Sequence, residues 1–278
     1  MKINLAKSAG FCFGVKRALE IALKTASKEK QVEMLGDIVH NEEVVNQVKK
    51  TGIKKIKRLA KGKGKILLIR AHGTSTETYK KVKALGYKII DVTCPMVREI
   101  HKIAKENENK GYQIIIIGDK KHDEVQGILG QLSKKALVID SSKDISKKVK
   151  KITKGAVIVQ STQNLEKTLK IVKVLDKYIK ELKFFNTICE PTRTKQKEIK
   201  RMASKNSIMI IIGSKTSANT KRLYEISKSI NNKTFWIQSK NEVKPIWFKE
   251  ISSVGITAGA STPEGTTQDI IKQIKKIK

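Results

Sequence analysis

Three cysteines, Cys12, Cys94 and Cys189, stand far apart in a chain of 278 residues. Thiolates are soft ligands, and three that meet in space suit either zinc with a fourth ligand or an iron–sulfur cluster. A cubane cluster held this way keeps one iron without a cysteine, open to a substrate oxygen. No C-x-x-C occurs, so short-loop zinc ribbons and ferredoxin-type spacings are excluded. A lone cysteine is most often a small buried hydrophobe, so the case for a shared metal rests on the positions the three occupy. Those positions are equivalent. Twenty-four residues after each cysteine stands a glycine: Gly36, Gly118 and Gly213. Twenty-eight after stand His40, His122 and Ser217, and thirty after stand Glu42, Glu124 and Asn219. A looser second half of each unit carries RAHGTS with His72, QSTQN with Ser161, and TAGASTPEG with Ser261.

The residue types in these loops fit an anion. Ser and Asn at the start of a helix donate hydrogen bonds beside exposed backbone N–H groups. Plain helix capping explains each loop separately about as well. His40, His72 and His122 are three of only four histidines; histidine donates to phosphate and titrates near neutrality. Glu124 serves as a proton donor if a closed cavity raises its pKa. His101, on the helical stretch after Cys94, reads as a surface residue.

The elements that must position these groups follow from the same register. Each cysteine precedes a polar–apolar helical stretch, a short turn, an aliphatic strand, then the glycine and a polar loop. Another strand and loop complete the unit. The expectation is an α/β protein of three similar small parallel-sheet units, spanning 13–94, 95–188 and 189–278, the last completed by 1–12. Ligands collect beyond the carboxyl ends of parallel strands. Three units around a pseudo-threefold axis would therefore point the cysteines and polar loops into one central active-site cavity.

Composition narrows the function further. The formal charge is +33, from 59 basic and 26 acidic residues. Only seven of the basic residues are Arg, the lysines are spread over nearly every segment, and aromatics are 5%. That pattern offers little for base readout or stacking, so nucleic acid is not the expected partner; the rival from a different class is a basic nucleic-acid-binding module with structural zinc. A broad lysine field attracts acidic partners and anionic substrates. The start MKINLAKSAGF has no continuous apolar run, and stretches such as Ile114–Ile117 are too short to cross a bilayer. The expectation is a cytoplasmic chain with no membrane partner. Three widely spaced cysteines give no disulfide framework.

With these residues together, the sequence strongly resembles the 4-hydroxy-3-methylbut-2-enyl diphosphate reductase family, the last step of the methylerythritol phosphate route to isoprenoids. The resemblance runs through GFCFGVKRA, GDIVHN, RAHGTS, DVTCPMV, HDEVQG, NTIC, GSKTSAN and TAGASTPE. It implies a three-domain α/β fold and a [4Fe-4S] cluster on Cys12, Cys94 and Cys189, with one iron not bound by cysteine. It also implies that His40, His72 and His122 line the substrate pocket and that Ser161 neighbours the substrate. Ser217, Asn219 and Ser261 match the diphosphate anchors, and Glu124 matches the proton-relay carboxylate. The implied reaction removes the allylic hydroxyl with two electrons and two protons, giving isopentenyl and dimethylallyl diphosphates. The implied electron donor is a reduced ferredoxin or flavodoxin, both usually acidic. An iron–sulfur hydratase without net reduction is the nearest rival. The chain departs from the family at Ala218, where serine is frequent, and at Ser161, where threonine is usual. It has HDE for the frequent HPE, and Pro191 and Lys195 where Ala and Arg are usual.

Overall fold

A computed structural model describes residues 1–141 and 145–277; residues 142–144, within the second expected unit, and 278, the last of the third, lie outside it. Among the described residues the chain forms an α/β fold with three four-stranded, wholly parallel sheets. It divides into two compact units, 1–16, 39–47 and 190–278 in one, and 17–38 and 48–189 in the other.

The first unit is built on β1 (Lys2–Leu5), β10 (Ile208–Ile212), β11 (Thr234–Ile237) and β12 (Ser253–Ala258), in the order β1-β12-β10-β11. The central strand IMIII is buried throughout, as a parallel strand covered on both faces must be. Its side chains alternate. Ile208, Ile210 and Ile212 join Val254, Ile256 and the inner face of α10 (Glu264–Lys275) in one cluster. Met209 and Ile211 meet α8 (Glu190–Lys205) and α9 (Ala218–Ile230) through Ile199, Met202, Leu223 and Ile226 on the other side.

The second unit holds two sheets. One has the order β3-β2-β4-β5, from β2 (Val32–Leu35), β3 (Lys54–Ile56), β4 (Ile66–Ile69) and β5 (Lys88–Asp91). The other has the order β7-β6-β8-β9, from β6 (Gln113–Ile117), β7 (Leu137–Ile139), β8 (Lys154–Val159) and β9 (Glu181–Phe184). In β6, Ile115 and Ile117 pack toward α6 (Ile145–Val149) and α7 (Leu165–Leu175). Ile114 and Ile116 pack toward α4 (Pro95–Asn109) and α5 (Asp123–Leu129).

Numbered within its own sheet, each set runs second, first, third, fourth, with β1 taking the fourth place beside β12. The sequence repeat thus has one topology in three copies. The short strands β3, β7 and β11 were not among the expected elements. They are edge strands of three or four residues, all with fewer aliphatic side chains than β10, so periodicity gives them little signal.

Ile116 is fully buried in β6. Ile116→Ala should cost about 2–5 kcal/mol through lost transfer energy and an unfilled cavity. Urea denaturation followed by circular dichroism checks this, and a loss well under 1 kcal/mol on the same scale would remove that strand from the core.

Candidate active site

Each cysteine follows the carboxyl end of a fourth-position strand and is tied to the loop after the third. The Cys12 N–H donates to the Ala260 carbonyl at 3.1 Å, Cys94 to Ala71 at 3.0 Å and Cys189 to Ser161 at 3.0 Å. The three acceptors lie two residues beyond β12, β4 and β8 respectively. The glycines at the shared spacing are fixed alike. The amides of Gly36, Gly118 and Gly213 donate to Ile56, Ile139 and Ile237, each the last residue of a second-position strand. Gly213 has φ +147, and a Cβ there would come within 2.7 Å of the hydroxyls of Thr220 and Thr262. Only glycine lets these loops meet.

In the first unit, Ser217 caps α9 by accepting from the Thr220 N–H, and Asn219 lies in the first turn, buried. The Asn219 side-chain nitrogen is buried without a hydrogen-bond partner among the described residues. Such a donor is costly unless a ligand satisfies it. Ser261 is buried after β12 and donates to the His40 carbonyl at 3.0 Å. Asn41, beside His40, accepts from the Val44 N–H and caps α2 (Glu42–Lys50). Ser217, Asn219, Ser261 and the His40 backbone thus belong to loops of one unit that abut. Cys12 is half-buried here, and Phe13 beside it is 69% exposed, so GFCFGV is not core filler.

The second unit carries Cys94, Cys189, His72, His122, Glu124 and Ser161. The rings of His72 and His122 stand edge to face with centroids 5.6 Å apart. His122 caps α5, its Nδ1 accepting from the Glu124 N–H at 3.2 Å. Glu124 is buried and accepts from Ser161 twice, from the N–H at 2.6 Å and the hydroxyl at 2.7 Å. Ser161 in turn receives the Cys189 N–H on its carbonyl. Burial pushes the Glu124 carboxyl above its ordinary value, against the two hydrogen bonds from Ser161 that favour the anion.

Two departures from the family pattern find partners. Asp123 of HDE forms an ion pair with Arg70 at 2.7 Å, joining the start of α5 to the His72 loop. Pro191 sits in the first turn of α8, where its missing N–H leaves no hydrogen bond broken. The expectation for His101 was wrong. It is half-buried with its Nε2 atom fully covered, and a Cβ on Gly73 would come within 2.8 Å of its ring. Burial, with help from Lys105, brings its pKa down to about 4, so it packs as a neutral ring. A single histidine amid lysines gave no sign of this. Lys195, Glu198 and Arg70 were also missed as structural partners, because each acts on residues remote in sequence.

All three cysteines are thiols outside any disulfide and half-buried. Each cysteine backbone is fixed beyond a strand end, and a thiol so held is a soft metal ligand. Residues 3–275 match the family model described as LytB protein.

The chain belongs to that LytB family.

A family relative from Geotalea daltonii, named 4-hydroxy-3-methylbut-2-enyl diphosphate reductase, is 38% identical over 277 residues, covering 100% of this chain and 98% of its own. A solved structure described as (E)-4-hydroxy-3-methyl-but-2-enyl diphosphate reductase, the terminal enzyme of the non-mevalonate pathway, is 37% identical with a TM-score of 0.72, covering 100% of both chains. The Plasmodium falciparum E-1-hydroxy-2-methyl-but-2-enyl-4-diphosphate reductase is 26% identical with a TM-score of 0.91, covering 98% of this chain and 87% of that one. The LytB family is an iron–sulfur family.

Glu124 has a testable linkage to stability. Its folded carboxyl binds a proton more tightly than the unfolded chain does. Its contribution is therefore fully present below the unfolded pKa and is lost as pH rises through the raised folded value. Melting temperatures of the metal-free chain and of Glu124→Gln, measured from pH 4 to 8, should show the unaltered chain losing ground to the variant as pH rises. A constant gap would mean that burial does not raise this group.

Proposed function

We propose that this chain reductively removes the allylic hydroxyl of 4-hydroxy-3-methylbut-2-enyl diphosphate, yielding isopentenyl and dimethylallyl diphosphates for isoprenoid precursors. Full-length family membership supports the activity, and one local observation supports the division of labour. Glu124, a buried carboxyl with raised proton affinity, is joined through Ser161 to the backbone of Cys189. That link supports reading Glu124 as a proton source for chemistry at Cys189.

Cys12, Cys94 and Cys189 hold a [4Fe-4S] cluster in this reading, with one iron not bound by cysteine. The working division of the chain is threefold, 13–94, 95–188 and 189–278 with 1–12, one cysteine for each boundary. Bound there, the cluster supplies two electrons and a Lewis-acid position for the substrate hydroxyl oxygen. Glu124 delivers a proton toward that oxygen, which leaves as water when the allylic C–O bond breaks. The carbon skeleton takes the two electrons and a second proton at one of two carbons. Ser217, Asn219 and Ser261 anchor the diphosphate, where the unsatisfied Asn219 amide and the α9 N-terminus offer donors to an anion. His40, His72 and His122 line the pocket, where a neutral or charged imidazole donates to phosphate or hydroxyl. Ser161 holds Glu124 in place beside the substrate. Binding the diphosphate this way fixes the reacting end and excludes water.

The electron donor in this reading is an acidic carrier, a ferredoxin or flavodoxin, drawn by the formal charge of +33. Cytoplasm suits the chain, since a reducing compartment keeps such thiols available.

Anaerobically purified protein should contain iron and sulfide and should form both products only when a reductant is present. Product formation without net reduction would point to the hydratase instead. Glu124→Gln should keep its iron content while turnover drops roughly 10²–10⁴-fold, the usual span for a lost general acid; normal turnover would take Glu124 out of the mechanism. Turnover with an acidic flavodoxin should weaken as ionic strength rises, and indifference to salt would end the steering argument.

A further inference from the structure

Helix α8 makes a set of contacts that the reaction does not use. Lys195 and Glu198 are three residues apart on it and share one face. Lys195 is 3% exposed, and its Nζ donates to the carbonyls of Ser8, of Gly10 at 3.1 Å and of Ala258 at 3.2 Å. Glu198 takes the opposite polarity. Its carboxylate accepts from the N–H of Lys7 at 2.8 Å and of Ser8 at 2.9 Å, and from the Ser8 hydroxyl at 2.5 Å. One helix face thus grips both the N–H and the C=O groups of the stretch 7–10 that leads to Cys12. Gly10 adopts φ +88, a conformation open to glycine, as its carbonyl accepts from the ammonium.

A buried ammonium is tolerated when all its protons are hydrogen-bonded, and three carbonyls match its three donors. Those acceptors carry no charge to offset it, and burial brings the Lys195 pKa down to about 8, so the ammonium is the main form at neutral pH. Cys12 and Glu198 both lie near enough to favour the ammonium electrostatically.

We propose that Lys195 is a positioning residue for Cys12: with Glu198 it fixes the loop that carries the thiol and sets a buried positive charge beside it, so that a redox group ligated by Cys12 is easier to reduce. This rests on the reading of Cys12 as a cluster ligand. Adding an electron makes such a group more negative, and a nearby cation stabilises that state.

Two measurements on Lys195→Met, Lys195→Arg and Glu198→Gln, beside the unaltered full-length chain, test it. Without metal, hydrogen–deuterium exchange over residues 7–12 should speed up in the Met and Gln variants and return toward normal in the Arg variant. After anaerobic loading, with iron and sulfide assayed, a redox titration followed by electron paramagnetic resonance should shift to more negative potential in Lys195→Met. Glu198→Gln should shift the other way, and Lys195→Arg should stay near the unaltered chain. A loosened loop alone would move the Met and Gln variants in the same direction, so opposed signs isolate the charge. Unchanged exchange in Lys195→Met, or shifts of one sign, would overturn the proposal. If Lys195→Met does not fold, Glu198→Gln and Lys195→Arg carry both readings. An unaltered chain that takes up no iron or sulfide would defeat the ligand assignment, while the exchange measurement would still decide the grip on residues 7–10.

Discussion

The backbone hydrogen bond from each cysteine to the loop after a third-position strand is the constraint on which the site depends. It is made three times, to Ala260, Ala71 and Ser161, at 3.0–3.1 Å. Because the acceptor is a main-chain carbonyl, the side chain at that position can vary without moving the thiol. The carbonyl is itself fixed, since it follows strands whose aliphatic side chains are buried on both faces. Rigid elements hold a ligand more closely than loops do. Here short loops borrow their rigidity from sheets through one bond each.

The carboxylates sort by environment in a way that separates support from chemistry. Asp91 would be raised by burial, but hydrogen bonds from Thr93 and Tyr79 and the charge of Arg98 bring it below its ordinary value. Glu198 is likewise brought down by Ser8 and Lys7, against burial. Both stay ionised, and both brace a turn that leads to a cysteine. Glu124 has hydrogen bonds too, yet burial prevails and its proton affinity is raised. An acid whose proton affinity is raised, where other carboxyls of the fold have theirs lowered, is suited to proton transfer. The same serine that restrains this rise also accepts from Cys189, so the buried carboxyl and the loop bearing the thiol are held by one residue.

Much of this arrangement could be read in the sequence because it repeats. The constant spacing from cysteine to glycine reflects one helix, one turn and one central strand, closed by the same amide bond at Gly36, Gly118 and Gly213. Buried central strands such as IMIII and QIIII announce themselves by composition. The short edge strands do not, since KKI and LVI hold too few residues to show a period. Equally illegible was His101, whose packing against Gly73 and Gly127 depends on loops from other parts of the chain. Pairings such as Arg70 with Asp123 are set by tertiary contact between residues that no local pattern connects.

The departures from the family pattern show what the site tolerates. Asp123 gains an ion pair with Arg70, Pro191 occupies a helix position that needs no N–H, and Ser161 keeps the hydroxyl that meets Glu124. Ala218 is buried between two polar residues and leaves Ser217 and Asn219 in place. At 195 the exchange of Arg for Lys is less neutral. A guanidinium presents a planar fork, whereas an ammonium is a compact charge whose three protons can point to three separate carbonyls. Ser8, Gly10 and Ala258 surround Nζ in that manner. The lysine therefore fits a loop in which one compact ammonium meets three main-chain carbonyls.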